Sequence, residues 1–221
     1  MSAVLIFDTE TTGVIEPVLI ESAGIYIIGS PFDKQSNTFT QRYNPEKPIS
    51  YGAMATHHIL DEDLVNCPKA SEFVLNPQVK YLVGHNIDFD WRVIGQPDVK
   101  RIDTLAMARA IYPELDAHTL TALSYAVSEP AERPKLREKL KTAHSALTDV
   151  ELCLSVLRNI LKKMDLHKWS DIYAFSEESR IPKIMPFGKH KGTPISDVPQ
   201  DYKEWLKRQP DIDEYLLKAL Q

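Results

Sequence analysis

The chain has 221 residues, a length that accommodates one domain with an appendage or two small domains. Apolar residues make up 43% and charged residues 26%, an ordinary globular balance that excludes wholesale disorder. The net charge of −5 argues against a protein that coats nucleic acid by bulk charge, but not against one that gathers carboxylates at a site and keeps its cations in local stripes.

Ala3 to Phe7 reads as a buried first strand ending at Asp8. That run is too short to span a membrane and lacks the basic start and small-residue exit of a secretory leader. Val18 to Ile28 and Ser36 to Tyr43 read as two further strands, and three strands in succession favour antiparallel pairing. Short helices are expected near 50–56, 61–66 and 69–75. Tyr81 to Gly84 is a compact buried strand, a helix begins over Phe89 to Ile94, and Ile102 ends another strand. Asp103 to Ile111 and Leu120 to Val127 read as helices. Leu147, Val150, Leu154, Leu157, Leu161 and Met164 alternate spacings of three and four, the apolar stripe of a long helix near 145–164. Strands first and then mixed elements predict an α/β fold, a mixed sheet flanked by helices. Beyond about residue 166 the texture changes. Residues 167–183 read as a linker, and 184–221 as a small module of a hairpin and two short helices. Cys67 and Cys153 give neither a disulfide framework nor metal-ligand spacing, and a reducing cytoplasm is the simplest compartment.

Chemistry concentrates in three places. Asp8 and Glu10 follow the first strand, and residues two apart in an extended chain point to one side. Crowded carboxylates raise one another's pKa unless a cation joins them, and hard divalent ions suit oxygen ligands. Asp-x-Glu by itself fits a solvated loop or a helix cap equally well. His85-Asn-Ile-Asp-Phe-Asp90 follows the buried strand, and Asn86 and Asp90 stack one helical turn apart. Asn86 as a cap and Asp90 as a first-turn acid is the plainer reading, and Asp88 competes with Asp90. His144-Ser-Ala-Leu-Thr-Asp149 leads into the long helix, with Asp149 beside the apolar stripe and His144 where it titrates near neutral pH.

Together these motifs resemble the DEDD superfamily of 3′→5′ exonucleases. The matching motifs are Asp-x-Glu-Thr-Thr-Gly, His-Asn-x-x-Phe-Asp and His-x-x-x-x-Asp. His144 five residues before Asp149, with Ser145 where the other branch has tyrosine, places the chain with the histidine branch. The resemblance covers roughly residues 1–166 and implies a ribonuclease H-like fold. It implies that Asp8, Glu10, Asp90 and Asp149 hold two Mg²⁺ or Mn²⁺ ions, that Asp8 bridges them, and that His144 is the general base. Thr11, His57, Asn86 and Phe89 fall where relatives hold the terminal nucleotide. Val14 and Ile15, directly after the first motif, either seal the loop or press on the terminal bases. Ile87 and the extra Asp88 depart from the family pattern. The basic run from Arg133 to Lys141, net +4, reads as a solvated edge or as phosphate contacts beside His144. The tail, Met185 to Gly192 with Asp197, Tyr202 and Trp205, is similar to the C-terminal module of the exonuclease X group. The implied function is release of nucleoside 5′-monophosphates from DNA 3′ ends, single-stranded or duplex, in DNA repair, with no membrane partner. The alternatives are an exoribonuclease like ribonuclease T and a polymerase proofreading accessory subunit. Oligomeric state is not legible.

Overall fold

Val4, Leu5, Ile6 and Phe7 are all buried, as a central strand covered on both faces requires. In the computed structural model, which describes residues 3–141 and 145–221, they lie in strand β1, Ala3–Thr11. The others are β2 (Leu19–Ile27), β3 (Gln35–Arg42), β4 (Val79–Gly84) and β5 (Lys100–Asp103). They form one five-stranded sheet in the order β3-β2-β1-β4-β5. The β1–β2 and β2–β3 pairs are antiparallel, and the β1–β4 and β4–β5 pairs are parallel. The helices are α1 (Tyr51–His57), α2 (Ile87–Val93), α3 (Thr104–Ile111), α4 (Leu120–Val127), α5 (Arg133–Lys141), α6 (Ala146–Met164), α7 (Trp169–Arg180), α8 (Gln200–Lys207) and α9 (Glu214–Ala219). This is the expected ribonuclease H-like mixed sheet flanked by helices, with a small C-terminal module.

Pleating sends alternate β1 side chains to opposite layers. Val4 and Ile6 meet Val150, Cys153, Leu154 and Leu157 on the apolar stripe of α6. Leu5 and Phe7 join Val79, Leu82 and Ile87 on the other face. Gly84 ends β4 in a tight place, where a Cβ would lie 3.0 Å from the Phe7 carbonyl oxygen and 2.6 Å from Ile87 Cδ1. That close approach brings the turn after β4 against β1.

Three local expectations change. The first strand does not stop before its acids but runs on to Thr11. Its parallel partner ends at Ile6↔Val83, while β2 continues beside it through Asp8↔Ala23 and Glu10↔Glu21. The stretches expected as helices at 61–66 and 69–75 contain single 3₁₀ turns, Asp61–Leu64 and Ala70–Glu72. The segment read as a linker contains α7, whose Ile172 is fully buried with Trp169, Tyr173 and Phe175 packed against the main core. The Asp103 N–H donates to Ser176 Oγ at 2.8 Å, fixing α7 to the end of β5. The tail has its own core of Met185, Ile195, Val198, Leu206, Leu216 and Leu220.

Candidate active site

Each acid reaches the site from a different element. Asp8 and Glu10 share one face of β1, and Asp149 lies in the first turn of α6. The α6 N-terminus is set by Ser145, whose side chain accepts the Thr148 N–H. One carboxylate oxygen from each of Asp8, Glu10 and Asp149 lies within 4.8 Å of the others. Asp90 is buried on α2, and its Oδ1 accepts both the Thr9 N–H at 2.9 Å and the Thr9 O–H at 2.6 Å. These bonds hold one Asp90 oxygen against β1 and leave the other free of them.

Asp88 and Asp90 have different partners. Asp88 leaves α2 on another side and pairs with Arg101 and Arg180. The turn before α2 is pinned from below. The Asn86 N–H donates to Asp103 Oδ1 at 3.0 Å, and Thr104 Oγ1 donates to the Gly84 carbonyl at 3.1 Å. Asn86 takes the left-handed conformation, φ 70°, which asparagine tolerates. It occupies the N-cap position of α2, but its side chain makes no capping bond and is exposed. Phe89 is half-buried. Asp103 caps α3 through the Leu105 and Ala106 N–H groups.

The crowding has an electrostatic signature. Burial, then Asp149, Glu21 and Asp90, push the Glu10 carboxyl up to about 8. Burial raises Asp90 to about 7, against the Thr9 hydrogen bonds, which pull it down. Asp8 is raised well above the carboxylate range by burial and then by Asp90, Asp149 and Glu10. A cluster of oxygen donors that hold protons for want of positive charge is the donor chemistry that fits a hard divalent cation.

Thr11 is buried, and its Oγ1 donates to the Gly13 carbonyl at 3.0 Å. His57 is buried at the end of α1, where its Nδ1 accepts the Ile59 N–H at 3.0 Å, so the neutral ring carries its proton on Nε2. Burial lowers the His57 pKa, opposed by the Thr11 carbonyl and Glu21. Val14 and Ile15 are 84% and 85% exposed, which removes the reading that they seal the core. The base of their loop is tied by Thr12 N–H to the Val18 carbonyl and by Ser50 N–H to the Thr12 carbonyl, at 2.9 and 2.8 Å. A cavity of about 350 Å³ lies there, lined by Thr12, Gly13, Val14, Ile15, Lys47 and Ser50 among others. His144 lies outside the described residues, between α5 and α6.

Sequence reasoning missed Glu21. It is 3% exposed, faces Glu10 across the β1–β2 register, and takes Arg42 Nε at 3.0 Å and the Ala146 N–H at 3.3 Å. It therefore ties β2 to the first residue of α6, three residues before Asp149. The only available signal was an acid inside an apolar run, Leu19-Ile-Glu-Ser-Ala-Gly-Ile25. Glu21→Ala should leave the helix start without its acceptor and Arg42 with Asp63 at 4.0 Å as its remaining partner. The expected cost is ~2 kcal/mol, a melting temperature lower by about 4–8 °C, and turnover reduced about tenfold but not abolished. Thermal melting beside initial rates checks this, and a wild-type melting temperature would refute the tie.

A family model described as Exonuclease matches residues 5–157, and one described as Putative quorum-sensing-regulated virulence factor matches residues 178–211. Exodeoxyribonuclease 10 of Escherichia coli (strain K12) is 27% identical over 208 residues, covering 91% of this chain and 89% of the relative. DNA polymerase III subunit epsilon of Treponema pallidum (strain Nichols) is 29% identical over 171 residues, covering 70% and 74%. A solved structure of Exonuclease X in complex with 5′ overhanging duplex DNA superposes with a TM-score of 0.63 at 23% identity, over 78% of this chain and 99% of that one. That last likeness concerns the fold.

Proposed function

Because the chain belongs to the exonuclease family, we propose that it is a metal-dependent 3′→5′ exodeoxyribonuclease, releasing nucleoside 5′-monophosphates from DNA 3′ ends in cytoplasmic DNA repair. The observation that carries this reading is the convergence of Asp8, Glu10 and Asp149 within 4.8 Å, with Asp90 behind them. DNA is favoured over RNA because the match to Exodeoxyribonuclease 10 runs along 91% of the chain. Among the described residues no helix is long and apolar enough to cross a membrane.

Asp8, Glu10, Asp90 and Asp149 would hold two Mg²⁺ or Mn²⁺ ions, with the Thr9 bonds restricting what Asp90 offers. When bound, such ions acidify a water and offset charge on the leaving 3′ oxygen. His144 takes the proton from the attacking water. Thr11, His57, Asn86 and Phe89 hold the terminal nucleotide, and Val14 and Ile15 press on its base. The basic run meets phosphates unevenly. As a helix, α5 puts the exposed Arg133 and Arg137 on one face, four residues apart, with Arg137 paired to its neighbour Glu138 and Lys139 to Glu151 of α6. We assign the chemistry to residues 1–166, braced by α7, with 184–221 an appended module.

The test is digestion of end-labelled DNA and RNA of one sequence, with Mg²⁺ or Mn²⁺ and with excess chelator. Stepwise loss of 5′-monophosphates from DNA, stopped by the chelator, is expected. Undiminished activity after verified metal removal overturns the metal-dependent reading, and faster digestion of RNA overturns the assignment to DNA.

The exposed pair gives a separate expectation. Val14→Gly with Ile15→Ser should slow digestion of blunt duplex about tenfold more than that of single strands, since an apolar contact offsets part of the lost stacking. Arg133→Ala with Arg137→Ala should weaken both substrates together, and more as salt rises. Matched initial rates at two salt concentrations decide. An equal loss on both substrates from the Val14 and Ile15 changes, with a lower melting temperature, would return those residues to the fold.

A further inference from the structure

In the C-terminal module Tyr202 packs partly against the core, while other aromatic side chains stay on the surface. Its buried cluster is aliphatic and sulfur-bearing, whereas Trp205 and Phe187 are 52% and 48% exposed. The rings are gathered in a row. His190 meets Tyr202 edge-on with centroids 4.6 Å apart, and Tyr202 lies 5.4 Å from Trp205 on the same flank of α8. Gly188 lets the loop reach the hydroxyl end of Tyr202. It has φ +73°, and a Cβ there would fall 2.6 Å from the Tyr202 hydroxyl oxygen. The same loop places Lys189 and Lys191 on either side of His190, both exposed. From 183 to 208 there are six lysines and arginines against three acids, in a chain whose net charge is −5. The loop from Lys183 to Gly192 is thus cationic and carries no acid, whereas on α8 Glu204 precedes Trp205 and pairs with Lys207.

The module is also fixed to the element that carries Asp90. Arg180, at the end of α7 and 3% exposed, donates to Asp88 on α2 and to the Tyr215 hydroxyl on α9. Arg101 bridges Asp88 and Glu214, and the Tyr215 hydroxyl donates to Glu177 at 2.9 Å. A flexible tether would let the aromatic row wander. This seam holds the module to α2, and so to Asp90 and Phe89.

We propose that the row of His190, Tyr202 and Trp205, flanked by Lys189 and Lys191, is a second contact for substrate DNA, stacking bases of the single strand that leads away from the active site. It rests on the exonuclease reading above. Aromatic faces accept every base, and lysines hold phosphates without reading sequence, which suits a strand whose sequence changes at each step. The surface adds affinity for long substrates and leaves the chemistry to β1, α2 and α6. On a strand too short to reach the module it contributes nothing.

The full-length protein is compared with Trp205→Ala and with Lys189→Glu plus Lys191→Glu. Binding of a fluorescent twenty-nucleotide oligothymidylate is measured in chelator, which stops digestion. Initial rates with metal are measured on that strand and on a trinucleotide. The variants should bind the long strand about tenfold more weakly, and their loss of kcat/KM on it should exceed that on the trinucleotide about tenfold. Trp205→Phe should restore binding, because a ring returns. Unchanged binding of the long strand, or equal losses at both lengths, overturns the proposal. Failure of the wild type to digest either strand would sink the exonuclease reading instead, while the chelator measurement still decides whether this surface binds DNA.

Discussion

Asp8→Ala and Asp149→Ala should each lower turnover about a thousandfold or more, while the metal-free variants melt no lower than the wild type. Neither side chain packs in the core clusters, and both stand among carboxylates that repel one another. Removing one relieves that repulsion in the metal-free protein and destroys the donor set in the loaded one. The same crowding fixes a pH dependence. Glu10 titrates at about 8 and Asp90 at about 7 in the fold, against ordinary values of 4.5 and 3.8. Between these limits the folded protein holds protons that the unfolded chain has released, so metal-free stability falls as pH rises from roughly 3.8 to 8. Added Mg²⁺ or Mn²⁺ should raise the melting temperature most at the alkaline end, where cations replace the missing protons. Asp8→Ala should flatten the metal-free slope. Near-normal turnover in a verified Asp8→Ala preparation would falsify its assignment as a ligand.

His144→Ala should cost about 10²–10⁴ in turnover while metal still raises the melting temperature and substrate still binds. A general base must be neutral to accept a proton, so wild-type activity should rise through the imidazole titration and the variant should lack that limb. The comparison needs saturating metal, because without it the Glu10 and Asp90 carboxyls titrate in the same range. A variant that keeps the wild-type limb would hand the proton to another group.

The acid pair on β1 was legible because five apolar residues precede it, and the α6 stripe because its spacing is regular over the whole helix. Between Asp88 and Asp90, spacing alone fits both to the start of α2, and the resemblance favoured Asp90. Their different partners, Thr9 for Asp90 and two arginines for Asp88, come from positions distant in sequence. Glu21 escaped notice because its partners are a strand neighbour, an arginine on β3 and a helix start 125 residues away. Helix α7 was hidden by polar texture. Trp169, Ile172 and Tyr173 begin a helical stripe, but its next position is Ser176, whose hydroxyl serves the Asp103 backbone.

That bond and the Arg180 seam determine how the protein can be cut. A shortened chain ending near residue 166 would look natural from composition, yet it would strip the Asp103 N–H of its acceptor and uncover the aromatic side of the core. Ending after Arg180 keeps both and costs the guanidinium only its Tyr215 contact, since Asp88 and Glu177 remain beside it. Dissection of the two parts therefore calls for a cut after Arg180 that leaves this arginine in place. Asp88 would then retain Arg101 as its counter-charge, and the helix bearing Asp90 would keep its footing.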